Sequence, residues 1–114
     1  MEVREEQQGD VTIVAANGRI DSTTAQSFGQ RLTNLIRSGS SRVIIDLSEV
    51  AYISSAGFRS LLVAGKLVDE SNGRLCLCGL SGEIQRLFDL SGFTDLFSIC
   101  ASRDESIARF ESRD

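Results

Sequence analysis

Two adjacent hydroxyls, Ser54 and Ser55, stand where a strand-like run gives way to a helical pattern, in the stretch DLSEVAYISSAGFRSLL (residues 46–62). A serine at such a junction can do two kinds of work. Its oxygen can accept a hydrogen bond from an orphan amide of the first helical turn, which stabilises the helix by about 1 kcal/mol. It can also accept a phosphoryl group, which adds a charge of about −1.5 to −2 and three acceptor oxygens. One serine is enough for a cap, so capping alone does not explain the pair. The free amides and the dipole of a helix N-terminus accommodate a dianion. The fold would survive such a modification, while a partner docked over the same surface would be displaced. On residue types alone, cap and switch both remain open.

Other candidate chemistry is sparse. The chain has no histidine, which removes Ser-His-Asp and Cys-His catalysis, the HExxH zinc motif and phosphohistidine relays. Neither G-x-G-x-x-G nor G-x-x-x-x-G-K-[ST] occurs, so no glycine-rich phosphate cradle is predicted. Asp46 ends an apolar strand run, where open α/β sheets often place functional groups; its expected role is to accept hydrogen bonds from the loop that follows. Asp21 and Asp46 form a carboxylate pair only if the fold brings them together. Cys76, Cys78 and Cys100 fit neither a CxxC redox motif nor a zinc knuckle. Cys76 and Cys78 alternate with leucines, as on one face of a strand. Free, buried thiols are the expectation, with no metal and no cofactor.

The elements that must position these residues follow from hydrophobic periodicity. A weak strand over residues 3–8 and a stronger one over 11–20 flank the turn at Gly9 and Asp10, which predicts a hairpin. Asp21, Ser22 and Thr23 are good cap types ahead of a helix whose apolar face is Ala25, Phe28, Leu32, Leu35 and Ile36. Gly39 and its flanking serines end that helix. Residues 42–47 read as a strand buried on both faces. The helix behind the serines carries Phe58, Leu61, Leu62, Gly65 and Val68 and closes at residues 71–73. A strand over 74–79 follows, then a short helix over 81–92 with Ile84, Leu87 and Phe88 inward, and a strand over 96–100. Ser102 with Glu105 three residues on forms a capping box for a terminal helix. The order β-β-α-β-α-β-α-β-α predicts right-handed crossovers and a mostly parallel sheet.

The chain of 114 residues, 41% hydrophobic and 25% charged, is the size of one domain with an ordinary core. Its apolar runs fall short of the roughly 20 residues that cross a bilayer, and the polar start is unlike a signal peptide. A cytoplasmic protein with no membrane insertion is expected. The net charge of −4 offers no positive footprint for nucleic acid and suits a partner with a basic patch.

The central stretch VIIDLSEVAYISSAGFRSLL resembles the signature of the STAS domain of bacterial anti-sigma factor antagonists: a hydrophobic strand, Asp-Leu, a short loop, then Asp-Ser-Ser/Thr-Gly-Leu leading into a helix. GRIDSTTAQSF (residues 18–28) and GLSGEIQRLFDLSGFTDLF (residues 79–97) are similar to the flanking parts of that family. The resemblance covers nearly the whole chain. It implies an α/β, STAS-like single domain over residues 1–114, with a mixed, mostly parallel sheet, an N-terminal β-hairpin and about four α-helices.

The resemblance also implies a partner switch and no enzyme activity. The unmodified protein would bind an anti-sigma factor, a GHKL-type serine kinase, and so free the sigma factor. The kinase would phosphorylate the serine at the helix start and end the binding; a serine phosphatase would reset it. On this pattern Ser55 is the acceptor and Ser54 the second candidate, Gly57 matches the motif glycine, and Ala56 takes the place of the second Ser/Thr. Ser54 stands where the pattern has aspartate, which removes a charge beside the acceptor; a different kinase, slow phosphorylation or none each fits that departure. Gly57, lacking a Cβ, is expected to let a partner's backbone approach. Arg59, Ser60 and Val63 are the expected exposed contacts, with Asp21 on the same rim. A second function of another class is a constitutive STAS subunit of a larger assembly, a lipid ABC transporter or a stress-sensing complex. The oligomeric state is open, a homodimer being one arrangement.

Overall fold

A computed structural model describes residues 1–92, 94 and 96–112. Five strands lie in sequence order in one sheet: β1 (Glu2–Gln8), β2 (Val11–Ile20), β3 (Arg42–Ile53), β4 (Arg74–Cys78) and β5 (Ser98–Cys100). β1 and β2 form the antiparallel hairpin, and the other pairings are parallel. The connections are α1 (Ala25–Arg37), α2 (Ser55–Glu70) and α3 (Gly82–Ser91), and the chain continues into α4 (Arg103–Ser112). The α/β architecture inferred from the alternation is therefore observed. Phe93 and Asp95, within the segment that resembles the later part of the family, lie outside the described residues.

Parallel strands in sequence order, joined by crossovers of one hand, put every connecting helix on the same face. That face holds the main core: Val14, Val43, Ile45, Leu47 and Leu77 of the sheet meet Phe28, Leu32, Leu61, Ala64, Val68, Ile84 and Phe88 of the three helices. Each such aliphatic side chain, Leu61 for example, stabilises the fold by about 1.5–3 kcal/mol on full burial. The opposite face is thinner. There α4 lays Phe110 and Ile107 over Val11, Ile13, Ile44 and the three cysteines.

β3 differs from its expected length. The strand expected over residues 42–47 runs on to Ile53. The reason lies in its neighbours. β4 pairs with β3 only as far as Asp46, whereas β2 follows it to Ile53 through two register shifts. Ser48 and Glu49 are exposed where β4 no longer pairs, so polar side chains there do not end the strand. The overhang carries the start of α2 beyond the sheet. A second difference is Leu87, expected inward; only Ile84 and Phe88 of α3 are buried on the core side, and Leu87 is 42% exposed.

Candidate functional site

The overhanging tips of β2 and β3 end side by side, with Ile20 opposite Ile53. The Ser54 amide donates to the Ile20 carbonyl at 2.8 Å, which fixes the chain just before it turns into α2. Ser54 has extended backbone, and its Oγ accepts from the Gly57 amide at 3.2 Å. It is thus the N-cap. Ser55 is the first helical residue. Its side chain is exposed, and no hydrogen bond engages its hydroxyl among the described residues. The two serines are therefore not equivalent: one is committed to the helix and its neighbour is open to solvent. α2 also has no acidic residue in its first turn, so its N-terminal dipole is not offset by a neighbouring carboxylate on that turn.

Gly57 plays a different part from the one expected. It is buried, and a Cβ there would lie 2.8 Å from both Ile20 Cγ2 and Ile53 Cγ2. The backbone that approaches it is the protein's own sheet, so the glycine seats the helix mouth on the strand tips instead of admitting a partner. Ser60 is likewise not a free contact. Its Oγ donates to the Ala25 carbonyl of α1 at 3.0 Å, and it sits where a Cβ on Gly29 would come within 2.9 Å. It is half-buried at a close α1–α2 crossing, because small residues on both helices let the backbones approach.

Arg59 and Val63 are exposed as expected, Val63 to 47%. Arg59 stands between two shallow grooves. The α1–α2 groove, about 290 Å³, includes Ala56, Ser60 and Val63. The α2–α3 groove, about 600 Å³, is bounded by Ser54, Ser55 and Arg59 on one side and by Tyr52, Leu62 and Leu87 on the other. Phe58 lines it too, and its ring packs 4.9 Å from that of Phe88. Tyr52 was not singled out from the sequence, and Leu87 was read there only as an inward residue. Tyr52 had a signal, an aromatic two residues ahead of the cap on a strand; the outward turn of Leu87 had none, since its spacing matches the apolar face of α3.

Asp21 is at the neighbouring mouth, but its Oδ1 is already engaged. Its carboxylate accepts from the Thr23 hydroxyl at 2.7 Å and the Thr23 and Thr24 amides at 3.0 and 3.2 Å. These bonds, the Thr23 hydroxyl first, hold its pKa below the usual carboxylate value. Asp46 lies elsewhere, on the α4 face. Burial alone would raise its pKa, but bonds from the Ser48 amide at 3.0 Å and from Arg103 outweigh that and lower it. The two carboxylates make separate sets of contacts and share no partner. Arg103 also pairs with Glu6, tying α4 to the hairpin.

The three thiols are free and buried. Cys76 Sγ lies 3.3 Å from Cys100 Sγ. Burial pushes Cys76 up to about 11 and Cys78 up to about 12, so they stay protonated and unreactive near neutrality. No group of three metal-ligating side chains occurs among the described residues, and no helix there is long and apolar enough to cross a membrane.

Comparison with known proteins gives this geometry a family. The profile of the STAS domain matches residues 2–106. BtrV of Bordetella bronchiseptica, named as an anti-sigma factor antagonist, is 33% identical over 100 residues, 88% of this chain and 86% of its own. A Thermotoga maritima crystal structure, also described as an anti-sigma factor antagonist, superposes with a TM-score of 0.90 at 18% identity, covering 94% of this chain and 92% of that one. The anti-sigma factor antagonist SpoIIAA of Bacillus has the same fold in its unphosphorylated form, with a TM-score of 0.76 at 16% identity over 96% of this chain and 98% of that one. Its phosphorylated form gives 0.75 at 18% identity over 96% and 99%. The chain belongs to the STAS domain family, and its relatives of this type are regulatory binding proteins, not enzymes.

Proposed function

We propose that this protein is a cytoplasmic anti-sigma factor antagonist whose binding is ended by a phosphoryl group on Ser55. One observation carries the reading: Ser54 takes the capping role, which leaves the hydroxyl beside it exposed and unbonded at the rim of a groove. A residue used for the cap could not be modified without loss of that bond; Ser55 can.

The partner is an anti-sigma factor that is itself a GHKL-type serine kinase, and docking it releases the sigma factor. The relatives' names support the antagonism, and SpoIIAA, known in both phosphorylated and unphosphorylated forms, supports the switch. In the transfer, Ser55 Oγ forms a bond to the γ-phosphorus of ATP. The bond from that phosphorus to the bridging oxygen breaks, its electron pair leaves with ADP, and the hydroxyl proton passes to the kinase's base. A serine phosphatase hydrolyses the ester and restores Ser55. Ser54, Ser55, Arg59 and Val63 supply contact, while Gly57, Ser60 and Asp21 hold the surface in place.

The test is incubation with the candidate kinase and ATP, followed by mass-spectrometric phosphosite mapping and binding measurements. Phosphate is expected on Ser55. Ser55→Ala should keep binding the kinase, and Ser55→Asp should weaken it at least about tenfold, roughly 1.4 kcal/mol, without unfolding the domain. Equal binding by Ser55→Asp would overturn the charge mechanism. Serine in place of the motif aspartate at position 54 favours one other reading, a constitutive STAS subunit of a larger assembly. In that case the chain would co-purify with its assembly and carry no phosphate.

A further inference from the structure

We infer that Arg59 is the intramolecular counter-ion of a phosphoryl group on Ser55, so that modification adds a dianion and at the same time withdraws a cation from the docking face. This rests on the reading of Ser55 as the acceptor, and it concerns where the phosphate goes once it is there.

Ser55 and Arg59 are separated by four residues on α2, the spacing at which helical side chains meet. Direction matters as well as spacing. The Cα–Cβ bonds of a helix tilt toward its N-terminus, so a long side chain covers the turn before its own Cα. Arg59 therefore leans toward Ser55, and the two border the same α2–α3 groove. Its other neighbours on the helix, Ala56, Leu62 and Val63, carry no charge. Among the described residues no ion pair engages the Arg59 guanidinium, whereas Arg103 is held by Glu6 and Asp46 and Arg31 by Glu5. Arg19, stacked on the Tyr52 side of the groove, sits 4.4 Å from the centre of the Tyr52 ring and 3.9 Å from Asp21.

A guanidinium presents a fixed fork that matches two phosphate oxygens. Engaging it breaks no bond among the described residues, because Arg59 is exposed and has no ion pair there. The geometry also separates the two serines. A phosphate on Ser54 would sit on the oxygen that holds the Gly57 amide and one residue further from Arg59.

The experiment uses the full chain with phosphoserine installed at position 55 by genetic encoding, so no kinase is needed. Phosphorus NMR follows the second ionisation of the phosphate in the original sequence and in Arg59→Gln, Arg59→Lys and Arg19→Gln. Charge pairs at this spacing imply that Arg59→Gln raises that ionisation by roughly 0.15–0.4 pH unit. Arg59→Lys should restore most of it, and Arg19→Gln should leave it in place. Superimposable titrations of the original and Arg59→Gln would overturn the inference, as would a shift confined to Arg19→Gln. Failure of the functional reading would look different: the kinase would leave unmodified Ser55 without phosphate while the titration shift persisted.

Discussion

The mouths of α1 and α2 lie next to one another, at the carboxyl ends of neighbouring parallel strands, yet they are built on opposite plans. At α1 the incoming chain makes a turn held by Asp21, whose carboxylate takes bonds from Thr23 and Thr24, and the N-cap Thr24 makes no side-chain cap bond. At α2 the cap is the neutral Ser54, the next hydroxyl is unengaged, and the third helical residue is a glycine pressed onto Ile20 and Ile53. One mouth spends its polar groups internally. The other is fixed from beneath, by apolar packing, and keeps a polar group on its outer side. A docking switch needs that second plan, since the group to be modified must carry no structural duty.

The comparison is broken most severely at the third helical position. Gly57→Val, which places a branched side chain where even a Cβ has contacts of 2.8 Å, should lower stability by about 3 kcal/mol. Ser27→Val at the equivalent position of α1 is exposed and should change it by less than about 0.5 kcal/mol. Urea unfolding of the two variants measures the difference directly; equal losses would show that α2 is not seated in this way.

The two serines sharpen the contrast at a smaller scale. Ser54→Ala removes the acceptor for the Gly57 amide and should cost about 1 kcal/mol. Ser55→Ala should stay within about 0.5 kcal/mol of the original. Thermal and urea melts that rank the two in the reverse order would exchange their roles.

The smallest effect is expected at α1, in the acid limb of the stability curve. Asp21 has a lowered pKa in the folded state, so the unfolded chain binds its proton more tightly. Its contribution is therefore complete above the unfolded value of about 3.9 and disappears as pH falls through the folded one. Asp21→Asn should flatten the fall in melting temperature between about pH 5 and pH 3, whereas Ser54→Ala should leave that slope unaltered because its cap carries no charge. An unchanged acid slope in Asp21→Asn would mean that the carboxylate contributes nothing at this mouth.

Much of this was legible before any coordinates. Alternating strand and helix periods predicted the topology, and β2 begins and ends where its apolar run does. Asp46 accepts from the Ser48 amide, two residues on, although Ser48 belongs to β3 and not to a following loop. What failed did so for non-local reasons. Ser48 and Glu49 look like the end of a strand because a single sequence does not reveal that β4 stops pairing at Asp46 while β2 continues. Leu87 has the spacing of a core residue and faces the groove instead. Ser60 looks like a surface serine until α1 is packed against it through Gly29.

By itself the sequence determined the order of elements, the apolar faces and the presence of paired hydroxyls at a helix start, since periodicity and cap preference are properties of neighbours along the chain. Only the tertiary structure decided which hydroxyl is bound and which is free. That choice depends on where the tip of β2 pins the Ser54 amide and on how closely Gly57 meets Ile20 and Ile53. The contacts to Ile20 join residues more than thirty positions apart, and they exist only once the sheet has formed.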